Sequence, residues 1–138
     1  MTDPIGDTIE AYRSAVGAKD VEAFVALFAE DVRVFDMWGR FAYAGIAEWR
    51  GMAEEWFGSL GDEGVSVEFA EVEGFVSGDT AAASAFLTFR GLSPEGEELR
   101  SMTNRLSWVL RRGADGWRVV HEHTSAPLDD EARAIFRR

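Results

Sequence analysis

In the stretch VRVFDMWG, residues 32–39, one carboxylate interrupts a run of side chains suited to a core. Val32, Val34, Phe35 and Trp38 are apolar, and the bases nearest to Asp36 in the chain are Arg33 and Arg40. Burying an unpaired carboxylate is costly, and the cost is relieved by hydrogen bonding or by a raised pKa. A carboxyl group raised toward neutrality is equipped to take up and release a proton, which makes Asp36 the first candidate for general acid or base chemistry. The alternative is a strand-end Asp that accepts loop amides. Tyr12 follows Ile5 and Ile9 and precedes Val16 at helical spacing, so a phenol stands on an apolar stripe. There it either packs with its hydroxyl satisfied or donates a hydrogen bond to a ligand oxygen.

His121 and His123 alternate along a strand pattern, about 7 Å apart on one face together with Val119. Two imidazoles without a marked third ligand do not make a metal centre, so no metal is expected there and hydrogen bonding in a core or an interface is the plainer role. If Glu122 and Thr124 take the inner face instead, Glu122 becomes a second carboxylate able to polarise a ligand. Asn104 shares a face with Leu106, Trp108 and Leu110 and can reach a ligand carbonyl, whereas Arg105 and Ser107 take the opposite face. Trp38, Trp49, Trp56, Phe86, Met102 and Trp108 are the candidate walls of an apolar pocket, the alternative being simple core.

Composition narrows the chemistry. The chain has 138 residues, 46% of them hydrophobic, which suits one domain spanning 1–138 with a core of its own. Its 25 acidic against 14 basic side chains leave a net charge of -11, which opposes binding to nucleic-acid backbones and anionic lipid. No cysteine is present, so disulfides, thiolate nucleophiles and cysteine-ligated metals are excluded. The N-terminal MTDPIGDT lacks the basic and apolar regions of a secretory signal, and no apolar run reaches the length of a membrane span, so a cytoplasmic protein is expected. Seventeen aromatics, five Trp, ten Phe and two Tyr, suit an apolar pocket or a subunit interface.

The elements that must position these residues follow from periodicity. Asp3 and Pro4 open a helix carrying Ile5, Ile9, Tyr12 and Val16. Asp20 caps a second with Val21, Phe24, Leu27 and Phe28 on its buried face. A short strand covers 32–36, and after the Gly39 to Gly45 loop a third helix carries Ile46, Trp49, Met52, Ala53, Trp56 and Leu60. The turn signals SGDT, SPEG and RGADG then divide a four-strand meander at about 65–76, 80–91, 98–111 and 117–125. In the first of these strands the apolar phase passes from Val65, Val67 and Phe69 to Val72 and Val76, which calls for a bulge or sharp bend. Pro127 ends the last strand, and 129–137 is expected to form a short terminal helix. The order predicts an α+β fold, a curved mixed or antiparallel sheet wrapped around three N-terminal helices.

The segment AYRSAVGAKDVEAFVALFAEDVRVFDMWGRFAYAG, 11–45, resembles the N-terminal half of bacterial ketosteroid isomerases and of the SnoaL-like proteins. DGWRVVHEHTSAP, 115–127, resembles the closing strand of SnoaL-like proteins and of the calcium/calmodulin-dependent kinase association domain. The resemblance implies the nuclear-transport-factor-two-like fold, a cone-shaped cystatin-like α+β barrel with a cavity between sheet and helices, and a homodimer formed through the convex sheet face. It implies Asp36 as the proton-shuttling base and Tyr12 as the donor to the enolate oxygen, with no cofactor. The isomerases' third member, a protonated acid, falls within NRLSWVL, 104–110, which holds no Asp or Glu; Trp108 or a neighbour stands there. Two classes of function follow from the resemblance. One is an isomerase-like or polyketide-cyclase-like protein acting on a small, largely apolar ketone held by Trp38, Trp56, Phe86, Met102, Asn104, Trp108 and Glu122. The other is a non-catalytic ligand-binding or association module.

Overall fold

The computed structural model describes residues 3–138. Helix α1 spans Pro4–Ala18, α2 Val21–Val25 and α3 Ile46–Ser59. The strands are β1 Phe28–Phe35, β2 Tyr43–Ala44, β3 Gly64–Ser77, β4 Thr80–Leu92, β5 Glu98–Gly113 and β6 Gly116–Ser125. They form a single six-stranded sheet in the order β2-β1-β6-β5-β4-β3, in which β1 and β6 run parallel and every other pair antiparallel.

Both N-terminal helices start where capping chemistry dictates. Asp3 accepts from the Gly6 amide and Asp20 from the Ala23 amide, satisfying donors the first helical turn leaves free. The second helix stops at Val25, short of the Phe28 that periodicity suggests. Leu27 already accepts from the Val119 amide at 2.8 Å and Phe28 is in register with Val119, so pairing with β6 draws these residues into β1.

Two of the sheet's register irregularities position the site. Between Ala70 and Glu73 of β3 one residue is extra against β4, and Glu71 adopts a left-handed φ of 52°. Beyond this bulge Gly74 lies against α1: a Cβ there would stand 2.5 Å from the Ala82 carbonyl and 2.8 Å from Ile5 Cδ1. The glycine therefore permits helix and strand to close on each other. In β6, Leu110 faces Val119 but Val109 faces His121, so Val120 is the extra residue. The face assignment inverts across it. Val119 is fully buried, and inward positions then pass to Glu122 and Thr124, leaving His121 and His123 on the outer face. The expectation that Val119 and the histidines share a face fails for this reason.

The core lies between the concave face of the sheet and the helices, and it is rich in aromatic edge contacts. Phe24 is fully buried at its centre, with ring centroids of Phe28, Tyr12, Phe57 and Trp49 at 5.1, 5.5, 5.8 and 6.1 Å. No terminal helix forms. Asp129 accepts from the amides of Glu131 and Arg133, an Asx-type turn that competes with helix, and Leu128 bridges to Ala134. The segment then reaches β5, where the Thr103 amide donates to the Phe136 carbonyl at 2.7 Å.

Candidate active site

Asp36 sits one residue beyond β1, level with Thr124 on the parallel β6, since Phe35 is in register with His123. The Thr124 hydroxyl donates to Asp36 Oδ1 at 2.9 Å and accepts from the Met37 amide at 3.0 Å. A single hydroxyl thus ties the carboxylate to the start of the following loop. Burial pushes the Asp36 carboxyl upward, and the Thr124 hydroxyl and the amides of Met37 and Trp38 partly offset it.

Glu122 is 2% exposed and lies beside Trp108 in the β5–β6 register. The Trp108 indole N–H donates to Glu122 Oε1 at 2.8 Å. Burial, with a smaller contribution from the Asp36 charge, pushes Glu122 up to about 7 despite that hydrogen bond. On the strand where the isomerase resemblance implies an acid, Trp108 instead holds an acid of the neighbouring strand.

Tyr12 enters from α1, 4% exposed, between Phe24, Phe69 and Trp108. Its phenol is held well above its ordinary range by burial first, then by the charges of Glu122 and Asp36. Across the pH range in which the carboxylates titrate, Tyr12 keeps its proton and can only donate or accept a hydrogen bond.

Tyr12, Asp36 and Glu122 line one cavity of about 720 Å³ between the sheet and α3. That volume falls within the range of sites for drug-sized ligands. Trp38, Trp56, Met102 and Asn104 line it as well, together with Trp49. Its rim carries Glu55, Ser59, Arg100 and Ser101. A shallower groove on the other side of the Met37–Ala42 loop also reaches Asp36, along Phe35, Arg40, Phe41 and His123.

Two residues expected in the pocket stand elsewhere. Phe86 lies on the outer face, because Leu87 is the inward residue of that pair in β4; the Arg138 guanidinium covers its ring at 4.0 Å. Trp108 is 1% exposed and lies behind the wall, backing the cavity-lining Glu122 and Tyr12. His121 and His123 pack edge-on against Phe35 on the outer face, and His121 Nδ1 lies 2.7 Å from the Arg33 carbonyl. Among the described residues no group of three His, Asp or Glu could hold a metal ion, and no helix is long and apolar enough to cross a membrane.

Among the described residues two buried side-chain polar atoms are left without partners, Asn104 Oδ1 and Trp49 Nε1. Asn104 Nδ2 is directed instead at the Met37 thioether, 3.4 Å away. The clamp of Thr124 on Asp36 was not legible in the sequence, because it depends on the parallel pairing of strands some ninety residues apart. Phe89, Tyr43 and Arg100 also line the cavity without having been singled out. For Phe89 the signal was present, since it alternates with the inward Leu87 along β4.

The SnoaL-like domain family matches residues 5–129. An NTF2-like protein of unknown function from Pseudomonas putida KT2440 superposes with a TM-score of 0.83 at 27% identity, covering 96% of this chain and 91% of that one. An NTF2-like protein with a cystatin-like fold from Novosphingobium aromaticivorans gives 0.75 at 25% identity, covering 95% and 84%. An NTF2-like superfamily protein from Salmonella enterica serovar Typhimurium gives 0.70 at 23% identity over 91% and 90%, a likeness of fold. No curated protein matches the sequence. With a curved six-stranded sheet closed over three helices, and the family match running through nearly its whole length, the chain belongs to the SnoaL-like domain family of the NTF2-like superfamily.

Proposed function

We propose that the cavity binds a small, largely apolar ketone and that Asp36 moves a proton at the carbon next to its carbonyl, in an isomerase-type or cyclase-type reaction. The observation that carries this reading is the convergence of Tyr12, Asp36 and Glu122 on one open cavity. Asp36 as carboxylate takes the proton, leaving an enolate whose oxygen receives hydrogen bonds from the Tyr12 hydroxyl and from Glu122 in its protonated form. Returning the proton from Asp36 to the same or another carbon completes the step and regenerates the carboxylate. Donors placed for the developing negative charge inside a water-poor wall are worth more than they would be in water. Thr124 holds Asp36 in position through Oδ1.

A non-catalytic association module would have the same space packed shut by tryptophan and phenylalanine and would leave Asp36 an ordinary solvated carboxylate. The open volume beside Asp36 and the burial that raises its pKa favour the ligand-binding reading. Association nonetheless has its own support as a property of the outer face. The cross-strand row Phe75, Ala82, Val109, His121 is apolar over three strands, with Phe75 63% exposed, and we propose it as the homodimer contact. A monomer mass by light scattering at micromolar concentration would contradict that contact.

The test of the catalytic reading is α-deuterium incorporation into a bicyclic aryl ketone, 1-tetralone, in D2O, followed by NMR. Wild-type protein accelerates the exchange and Asp36→Asn does not. Equal exchange by the two proteins would overturn the role of Asp36.

A further inference from the structure

The sequence alone offers Asn104 as a donor to a ligand carbonyl, but its surroundings reverse that polarity. Nδ2 already faces the Met37 sulfur at 3.4 Å, and sulfur accepts hydrogen bonds weakly without donating any. Turning the amide over would set its oxygen against that sulfur, two acceptors facing each other. The amide atom left without any partner is Oδ1, an acceptor on a residue 4% exposed that lines the cavity. A buried acceptor left unpaired costs free energy that a ligand donor recovers.

The register locates this acceptor relative to the reacting centre. On the concave face Trp108 lies beside Glu122, Leu106 beside Thr124, and Asn104 is the next inward residue of β5 toward the rim. Alternate residues of a strand are about 7 Å apart, so Asn104 stands roughly that far beyond the level of Thr124 and Asp36. The Met37 contact fixes the same neighbourhood from the other side, because Met37 directly follows Asp36. Trp49 adds a second unsatisfied group on the cavity wall, an indole N–H suited to an acceptor.

We propose that Asn104 Oδ1 is a specificity site for a hydroxyl group, and that the ligand is a hydroxylated aryl or polycyclic ketone carrying its hydroxyl about one ring's breadth from the carbonyl that Tyr12 and Asp36 address. This deepens the ketone reading above and rests on it. The hydroxyl donates to Asn104 and is itself an acceptor, so it adds polar recognition without requiring a charged partner in an otherwise apolar wall. Ketones lacking the hydroxyl bind, but leave the Asn104 oxygen unsatisfied.

Isothermal titration calorimetry with three matched ketones, 1-tetralone, 6-hydroxy-1-tetralone and 6-methoxy-1-tetralone, tests the proposal. The methoxy compound keeps an oxygen at the same place and loses only the donor. Wild-type protein is expected to bind the hydroxy ketone about tenfold more tightly than the other two, the factor that one hydrogen bond to a buried acceptor supports. In Asn104→Leu the advantage of the hydroxy ketone over the other two falls to within about twofold. Removal of an unpaired buried polar group leaves the Asn104→Leu melting temperature at or above that of wild type, which distinguishes lost recognition from lost folding. Equal binding of hydroxy and methoxy ketones by wild type, or an advantage that survives in Asn104→Leu, overturns the hydroxyl site alone. Binding of none of the three overturns the ketone cavity and this site with it. Normal binding with exchange indifferent to Asp36→Asn overturns only the catalytic role.

Discussion

The two faces of β6 hold chemically able side chains in alternation, and only one face makes them unusual. Inward, Glu122 and Thr124 are 2% and 6% exposed, and both are tied into the site by hydrogen bonds to Trp108 and Asp36. Outward, His121 and His123 lie against Phe35, and among the described residues no metal-holding group of three His, Asp or Glu gathers there. By residue type the histidines are the more obvious proton-transfer groups at neutral pH. Burial reverses the ranking: the carboxylates acquire the pKa values and the dry wall that proton transfer uses, and the imidazoles become part of a sheet surface.

Substitutions on the inner face should therefore act on chemistry and those on the outer face should not. The largest effect belongs to Asp36→Asn, which should reduce α-deuterium exchange of a bound ketone by about a thousandfold, within the range general bases contribute. Binding measured by calorimetry should change little, since the amide keeps the shape of the site. Tyr12→Phe should lower the same rate by about a hundredfold, as loss of one donor to an oxyanion does. A comparable drop in stability is not expected, because the ring contacts with Phe24, Phe69 and Trp108 remain.

Glu122→Gln should act through pH. In wild type the exchange rate should rise as Asp36 loses its proton and fall above about 7 as Glu122 loses its own. The substitution should remove the alkaline fall and keep the acid limb. Stability follows the same group with a definite sign. Between about 4.5 and about 7 the folded chain holds a proton on Glu122 that the unfolded chain has released, so stability declines as pH rises through that window. The loss is on the order of 3 kcal/mol, and thermal melts of Glu122→Gln should show a flatter decline between pH 5 and pH 8. His123→Ala, on the outer face, should leave exchange unchanged and shift stability by no more than about 0.5 kcal/mol. A large loss of exchange in His123→Ala would mean that the outer groove beside Asp36, and not the inner cavity, is the site.

Local rules made most of the scaffold legible. The Asp3 and Asp20 caps, the helical stripe through Tyr12 and the turn glycines of the meander belong to short windows of sequence, and the phase change in β3 pointed to its bulge. Asp36 was legible as a misfit in an apolar run, and Tyr12 as its companion through family resemblance. What remained hidden depends on partners remote in the chain. The extra residue at Val120 inverts the inner and outer faces of β6, and nothing in VVHEHT marks it without the opposing strand. Phe86 appeared as a wall because β4 reads apolar on both faces, Phe86 and Leu87 being equally hydrophobic. The helix expected over 129–137 yielded to the Asp129 turn and to the stretch of β5 before its pairing with β6, where the Thr103 amide donates to the Phe136 carbonyl.

The central claim is that two acids share a buried cavity in which desolvation shifts their protonation, and carboxyl-carbon NMR across pH reads this directly. With 13C in the Asp and Glu side chains, the account predicts one glutamate carboxyl that titrates at about 7 and disappears from the spectrum of Glu122→Gln. It further predicts an aspartate carboxyl that titrates above the ordinary range and is absent from Asp36→Asn. If every carboxyl completed its titration in the ordinary carboxylate range, the inner face would be as solvated as the outer one, and the account of the site would be contradicted.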